Sequence, residues 1–192
     1  MVLLLLSAAA LPAAADDLAP DDLLERLAPD DGAIASAYVQ TRESGLLTET
    51  VRTAGEIHYR SPRTLEKTER SDAGERTVHI ADGTVRMVGE EDERRFPLTR
   101  SRELVALVEL LEAVATADAE LLRERFDVVT QGTDADWRLA LEQHAAGSGS
   151  RGDATEEPLR VVVVGAHDEV HEIRLDAPDR GRLRIELRGA AD

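Results

Sequence analysis

The stretch "GEIHYRSPRTLEK" (residues 55–67) decides the fold class, because it contains two extended segments that meet at a proline. Ile57 and Tyr59 alternate with polar neighbours, which is typical of a strand with one apolar and one polar face. Pro62 then interrupts the run, and a second alternating segment follows at once. Because proline is confined to the ends and edges of sheets, we predict two antiparallel strands joined by a turn at Pro62.

The same period of two recurs along most of the chain. Asp82 and Gly83 stand between two alternating segments and form a strong two-residue hairpin signal. A loop rich in glycine and serine is predicted at residues 145–157. Strands are predicted on both sides of a helical interval, at residues 34–40, 46–60, 64–70, 75–81, 84–90 and 94–98, and then at residues 127–132, 136–142, 158–165, 169–176 and 181–188.

Helical spacing occurs in two places. Residues 20–29 predict a short amphipathic helix, which Asp21 or Asp22 could cap. Residues 101–126 place leucines and valines three and four positions apart, and Asp118 could cap a second helix within this insert. The helices therefore interrupt the run of strands.

This layout predicts an α+β fold. An antiparallel sheet with one wet face must cover its other face. Two tyrosines, two phenylalanines and one tryptophan are too few large side chains to fill a closed barrel. We therefore predict an unclosed antiparallel β half-barrel with helices covering the concave apolar face.

The charge balance of the chain bears on two classes of partner. The formal net charge is −16, and Lys67 is the single lysine. Such a surface argues against binding nucleic acid and against adhesion to anionic lipid.

The beginning of the sequence is typical of an exported protein. Its apolar run is shorter than the roughly 20 residues that span a bilayer, and Ala13 and Ala15 form an A-x-A cleavage pattern. We predict a cleaved signal peptide at residues 1–15 and a single domain at residues 16–192, with a membrane anchor as the alternative to cleavage. Because the chain has no cysteine to carry lipid, we expect a soluble periplasmic protein that is not lipid-anchored.

The sequence predicts no catalytic site, no metal site and no cofactor. His167 and His171 are four residues apart, about 13 Å along a strand, which is too far to share one metal ion. Ser36 and Ser44 have no evident base partner, and no recognised catalytic motif occurs. We predict that the protein is not an enzyme. A hydrolase with an unrecognised site is the alternative from a different functional class.

The order of several short segments resembles the LolA family of periplasmic carriers, which move lipoproteins from the inner to the outer membrane. The resemblance implies an unclosed barrel with a helical lid, an acylated lipoprotein or lipid cargo, an inner-membrane donor complex and an outer-membrane acceptor. The segments that carry it are residues 38–40, 55–62, 65–67, 81–85 and 137–141, together with Leu107, Leu110, Leu111, Asp118 and Phe126 of the helical insert.

Two positions depart from the family pattern. Better-known members place a basic residue directly before the proline, where this chain has Ser61. They also place an aromatic residue a few positions later, where this chain has Lys67. The resemblance therefore leaves the contacts of the lid and the identity of the cargo open.

A carrier of this kind would hold acyl chains against the concave face, although an ordinary packed core is the alternative for every position. The cavity wall is predicted to consist of Ile57, Tyr59, Val78, Ile80, Val85, Met87, Trp137, Leu139 and Leu141. The helical lid is predicted to contribute Leu107, Leu111, Val114 and Leu121.

The sequence thus predicts a monomeric carrier that shields the acyl chains of a lipoprotein during transfer toward the outer membrane. The alternative within the same fold is a specialised shuttle or sensor for a free lipid or glycolipid.

Overall fold

The computed structural model describes residues 18–43, 50–72, 74–144, 158–177 and 181–188. The predicted signal peptide and the predicted loop at residues 145–157 lie outside the described residues. Within the described ranges the elements, in chain order, are α1 Pro20–Leu27, β1 Ala33–Glu43, β2 Val51–Arg60, β3 Thr64–Ser71, β4 Gly74–Ala81, β5 Thr84–Gly89, β6 Glu93–Pro97, a 3-10 turn Leu98–Arg100, α2 Arg102–Thr116, α3 Ala119–Arg123, β7 Phe126–Thr133, β8 Asp136–Gln143, β9 Arg160–Ala166, β10 Glu169–Ala177 and β11 Gly181–Arg188.

All of these strands belong to one antiparallel sheet with the order β6-β5-β4-β3-β2-β1-β11-β10-β9-β8-β7. The first strand, β1, lies at the centre of the sheet, and each following strand pairs beside the last one out to the edge strand β6. The chain then returns to the sheet at the opposite edge with β7. It then runs back until β11 lies beside β1. Because β6 and β7 do not pair with each other, the barrel is unclosed, as predicted. The helical insert is the connection between the two free edges.

The stretch that decides the fold forms the hairpin of β2 and β3. Ile57 and Tyr59 are buried on the concave face, while His58 and Arg60 are exposed on the other face. The strands are joined by a turn through Pro62, and the pairing of Tyr59 with Leu65 continues the register beyond the turn. The predicted strand break at the proline is therefore confirmed.

Gly55 allows the first three strands to approach each other closely. The Tyr38 hydroxyl on β1 crosses the glycine and donates a hydrogen bond of 2.6 Å to the carbonyl oxygen of Thr68 on β3. A Cβ atom on Gly55 would lie 1.9 Å from that same oxygen. Glycine is therefore required here because the backbone of β3 occupies the space of any side chain.

The helix ends follow capping rules with one correction. Ser101 caps α2 by accepting a hydrogen bond from the Leu104 amide, and Asp118 caps α3 as predicted. The predicted caps of α1 were wrong: Ala19 is the N-cap, and both aspartates lie in the first turn. The physical reason is Pro20, whose fixed φ places it at the first helical position and moves the helix start ahead of the aspartates.

Helix α2 lies inside the concavity rather than on its surface. Eight of its residues are buried, including an unbroken run from Ala106 to Leu111. Unbroken burial means that the helix is enclosed on nearly every side, by the sheet and by α1 and α3. None of the helices in the described residues is long and apolar enough to cross a membrane.

Candidate functional site

A cavity of about 810 Å³ lies between the sheet and the N-terminal half of α2. This volume falls within the range of roughly 300–1,000 Å³ that small-molecule sites occupy. Its apolar lining comes from both halves of the sheet and from the helix, through Val78, Met87, Phe96, Leu104, Leu107, Leu175, Leu183 and Ile185. The helix therefore does not fill the concave space, and a hollow with a partly apolar and partly charged lining remains beside it.

A second, smaller cavity of about 310 Å³ lies beside the C-terminal half of α2. Leu110, Leu111 and Val114 of the helix face it, opposite residues of β1, β8, β9, β10 and β11. Helix α2 thus stands between two hollows on the same concave face.

The structure divides the predicted site residues into three groups. Val78, Met87 and Leu107 line the larger cavity. Leu111, Val114 and Leu139 line the smaller one. The others pack into the core and line neither hollow: Ile57, Tyr59, Ile80, Val85, Trp137, Leu141 and Leu121.

The floor of the larger cavity carries a buried polar cluster. The Lys67 ammonium donates hydrogen bonds to Gln40 Oε1 at 2.7 Å and to Glu69 Oε1 at 2.5 Å. It also lies 4.8 Å from the centre of the Tyr38 ring, which is within the range of a cation–π interaction. Arg76 pairs with the other carboxylate oxygen of Glu69. All three polar side chains of the floor, Gln40, Lys67 and Glu69, are at most 7% exposed.

Burial and pairing set the protonation of this cluster. Burial alone would raise the pKa of the Glu69 carboxyl, but the charges on Lys67 and Arg76 outweigh it and lower the pKa. Glu69 is therefore a carboxylate at neutral pH. Burial lowers the pKa of Lys67 against the attraction of Glu69.

The mouth of the same cavity is cationic. Arg42 lies near the end of β1, Arg76 near the start of β4 and Arg94 near the start of β6. In an antiparallel sheet these positions lie at the same end. Arg95 and Arg100 also line the cavity. Six of the eighteen lining side chains are cationic and two, Glu69 and Glu103, are acidic.

Glu112 ties the centre of α2 to the β2–β3 turn. Its carboxylate accepts hydrogen bonds from the Ser61 hydroxyl at 3.0 Å and from the Arg63 backbone amide at 3.0 Å. The Tyr59 hydroxyl donates a third hydrogen bond to it. We call this group of four residues the Glu112 latch. Ser61, which departs from the family pattern, is therefore one of the residues that hold the helix in place.

The latch is charged at neutral pH. Burial would raise the pKa of the Glu112 carboxyl, but the three hydrogen bonds outweigh it and lower the pKa below its ordinary value of 4.5. Burial raises the pKa of the Tyr59 hydroxyl, and the neighbouring carboxylate raises it further. Tyr59 is therefore a donor and Glu112 an acceptor across the physiological range.

The histidines and serines considered as metal ligands or catalytic residues have ordinary polar partners where the structure describes them. Those residues contain no group of three or more acidic or histidine side chains that could hold a metal ion. The His167 ring contacts Asp134 at 3.0 Å, while His171 pairs with Glu169. The Ser36 hydroxyl donates to the Arg188 carbonyl oxygen at 2.9 Å, and Ser44 lies outside the described residues.

Sequence reasoning missed the polar part of the site, although one signal was present. The alternation of β3 places Lys67 and Glu69 on the same face as Leu65, and that face is buried. On β1 the same alternation places Gln40 and Arg42 on the face of Tyr38. No periodic signal points to Glu112, because its partners lie about fifty residues earlier in the chain.

Comparison with known families identifies the chain. The family described as "Outer membrane lipoprotein carrier protein LolA-like" matches residues 9–192. The chain belongs to this LolA-like family. The family is one of carriers that bind lipid or lipoprotein. No curated protein sequence matches this LolA-like chain.

Solved structures offer distant likenesses. A LolA superfamily protein from Nitrosomonas europaea is 6% identical, with a TM-score of 0.46 over 89% of this chain and 92% of that one. LprF from Mycobacterium bovis is 12% identical, with a TM-score of 0.39 over 90% of this chain and 94% of that one. These likenesses carry nothing about cargo to the LolA-like chain described here.

Proposed function

We propose that this LolA-like protein is a periplasmic carrier that shields the acyl chains of a lipoprotein during transfer toward the outer membrane. The observation that supports it best is the hollow of about 810 Å³ beside α2, in which eight of the eighteen lining side chains are apolar. An inner-membrane donor complex would load the carrier and an outer-membrane acceptor would unload it. The predicted signal peptide at residues 1–15 would place the protein in the periplasm.

The energetics of lipid transfer require such a hollow. Each CH₂ group removed from water is worth about 0.8 kcal/mol, so an acyl chain leaves a bilayer only for a site of similar apolarity. A site filled by the protein's own side chains would offer no room. A hollow lined by Val78, Leu104 and Leu107 offers apolar contact without filling the space.

The two hollows also suggest how the carrier adapts to cargo. The larger one already reaches the surface at its arginine mouth, so a single chain can enter while α2 stays in place. Release of the Glu112 latch would let α2 move and join the two hollows into one site for several chains. A carrier with a movable helix can hold cargo in water and still release it to an acceptor.

Analysis of copurified cargo tests the proposal. The full-length gene is expressed in a Gram-negative host, the protein is purified from the periplasmic fraction without detergent, and bound molecules are analysed by mass spectrometry. Acylated lipoprotein supports the proposal as stated, and a free lipid supports the alternative shuttle. The absence of any acylated molecule, combined with no fluorescence response of an uncharged hydrophobic dye, contradicts both.

A further inference from the structure

The charge at the mouth of the larger cavity is opposite in sign to the charge of the whole chain. The chain carries a net charge of −16, yet the lining of this cavity has an excess of four positive charges. A local reversal of this size in an acidic protein concentrates a positive potential at one entrance. It therefore needs an explanation beyond solubility.

The exposed cations lie at the surface, and the one deep cation of this lining, Lys67, is neutralised by its buried partner Glu69. Arg94, Arg95 and Arg100 are exposed, whereas Val78 and Leu107 behind them are at most 5% exposed. A ligand that fits this gradient has an anionic group at one end and an apolar chain at the other. Acyl chains alone would leave the cationic end of the site without a partner.

Some of the mouth arginines can bind an incoming anion. Arg100 has no ion-pair partner among the described residues. Arg94 pairs at 2.9 Å with Asp92, which is itself exposed, and pairs of this kind contribute little because water competes for both groups. Arg95 pairs in the same way with Glu93. By contrast, Arg42 is held by Glu103, a largely buried carboxylate, at 3.2 Å.

A second arginine-rich cavity, of about 470 Å³, lies elsewhere on the sheet. On the outer face of the sheet, Arg160, Arg174 and Arg184 are each paired with a carboxylate across or along the strands. Arg138 lies beside them and is exposed. The smaller cavity, in turn, has Asp168 as its single charged lining residue. The larger cavity differs from the outer one because it lies against α2 and has eight apolar lining side chains rather than three.

We propose that the larger cavity binds a free amphiphile with an anionic carboxylate or phosphate head group, its chain lying beside α2 and its head group held by Arg94 and Arg100. This inference rests on the proposed binding of acyl chains in the hollow and, for the cargo itself, favours the free-lipid alternative over a lipoprotein. The guanidinium groups supply paired N–H donors that match carboxylate and phosphate oxygens. The acidic remainder of the surface keeps the carrier from adhering to the anionic membrane that supplies the ligand.

Competition binding with the delipidated full chain tests the inference. An uncharged hydrophobic dye is displaced by probes that share one tail: a fatty acid, a lysophosphatidylglycerol, a monoacylglycerol and a neutral diacylated cysteinyl peptide. The double variant R94Q/R100Q is compared with R138Q, which removes an exposed arginine from the outer face. Inorganic phosphate serves as an anion without a tail.

We expect the two anionic probes to bind at least about fivefold more tightly than monoacylglycerol. This preference should disappear in R94Q/R100Q, persist in R138Q and weaken as salt is raised. The ratio between fatty acid and lysophosphatidylglycerol identifies which head group is preferred. The inference is overturned, while the carrier function stays intact, by any of four results. These are equal binding of anionic and neutral probes, stronger binding of the acylated peptide, displacement of the dye by inorganic phosphate alone, and equal effects of the two variants. If no tailed probe displaces the dye, the carrier function fails as well.

Discussion

The Ser61 hydroxyl donates a hydrogen bond of 3.0 Å to the Glu112 carboxylate and so joins the β2–β3 turn to the middle of α2. Tyr59 and the Arg63 amide reinforce this contact on the other carboxylate oxygen. The partners on the sheet are neutral donors, and the single charge lies on the helix. Because the Glu112 side chain accepts three of the four hydrogen bonds within the latch, a single substitution can weaken all three.

Replacing Glu112 with glutamine should loosen α2. The amide keeps one acceptor oxygen but loses the charge that strengthens the three bonds, so we expect a loss of about 1–2 kcal/mol in the free energy of unfolding. Hydrogen exchange of the α2 amides should accelerate more than that of the β9–β11 amides. Chemical denaturation combined with hydrogen-exchange mass spectrometry measures both.

Glu25→Gln is the matched control for this variant, since Glu25 is an exposed helical glutamate on α1. It should change the free energy of unfolding by less than about 0.5 kcal/mol. Equal effects of Glu25→Gln and Glu112→Gln would show that the latch does not hold the helix.

The latch should also weaken in acid. The pKa of Glu112 in the folded protein is below its ordinary value of 4.5, so the native state binds this proton less readily than the unfolded chain does. Its contribution to stability is therefore complete above pH 4.5 and is lost as the pH falls through the lower folded value. The stability gap between the wild type and Glu112→Gln should be constant above pH 4.5 and narrow below it. A stability difference that widens as the pH falls would contradict the lowered pKa of Glu112 in the folded protein.

A larger side chain in the hollow tests whether the space is real. Met87 lines the larger cavity and is only partly buried, so Met87→Phe should fit at a cost below about 1 kcal/mol and reduce the affinity for acyl chains. Leu141 lines neither hollow and is 2% exposed, so Leu141→Phe should overpack the core at a cost of about 1–3 kcal/mol. Thermal unfolding and dye displacement measure the two effects. Similar destabilisation by both substitutions would indicate that the larger cavity is a packed core.

Gly55→Ala should be among the most destabilising changes in the sheet. The new methyl group would meet the Thr68 backbone, which cannot move without breaking the β2–β3 pairing, and we expect a cost of about 3 kcal/mol or more. Gly89→Ala is the control, because its methyl group would meet the end of the flexible Asp92 side chain. Urea denaturation of both variants measures the difference. If Gly55→Ala is no more damaging than Gly89→Ala, the close approach of β3 to Gly55 is not a constraint on the fold.

The sequence allowed more of the fold than of the site to be predicted. Alternation along each strand reports which residues share a face, and this local signal placed Ile57 and Tyr59 on the concave side correctly. Whether such a residue lines a hollow or packs against α2 depends on contacts between distant segments. Val78 and Ile80 look alike in the sequence, yet Val78 lines the larger cavity while Ile80 packs into the core.

Charged residues in the strands were the main reason why the polar part of the site could not be predicted from the sequence. Lys67 and Glu69 follow Leu65 in the period of a buried face, but ionisable side chains normally indicate a solvated one. Lys67 is paired with Glu69 and bonded to Gln40 of β1, and Glu69 also pairs with Arg76 of β4. No local pattern reveals the partners on β1 and β4. The polar floor of the site is therefore a property of the assembled sheet.

Mapping the position of a bound chain tests the central claim most directly. A fatty acid with a photoactivatable group near the end of its tail is bound to the delipidated protein, cross-linked by light and located by peptide mass spectrometry. The account predicts cross-links to the residues around the larger cavity, chiefly Val78, Met87 and Leu107. Cross-links confined to the exposed apolar side chains Val51 and Val129, or no adduct at saturating fatty acid, would contradict it.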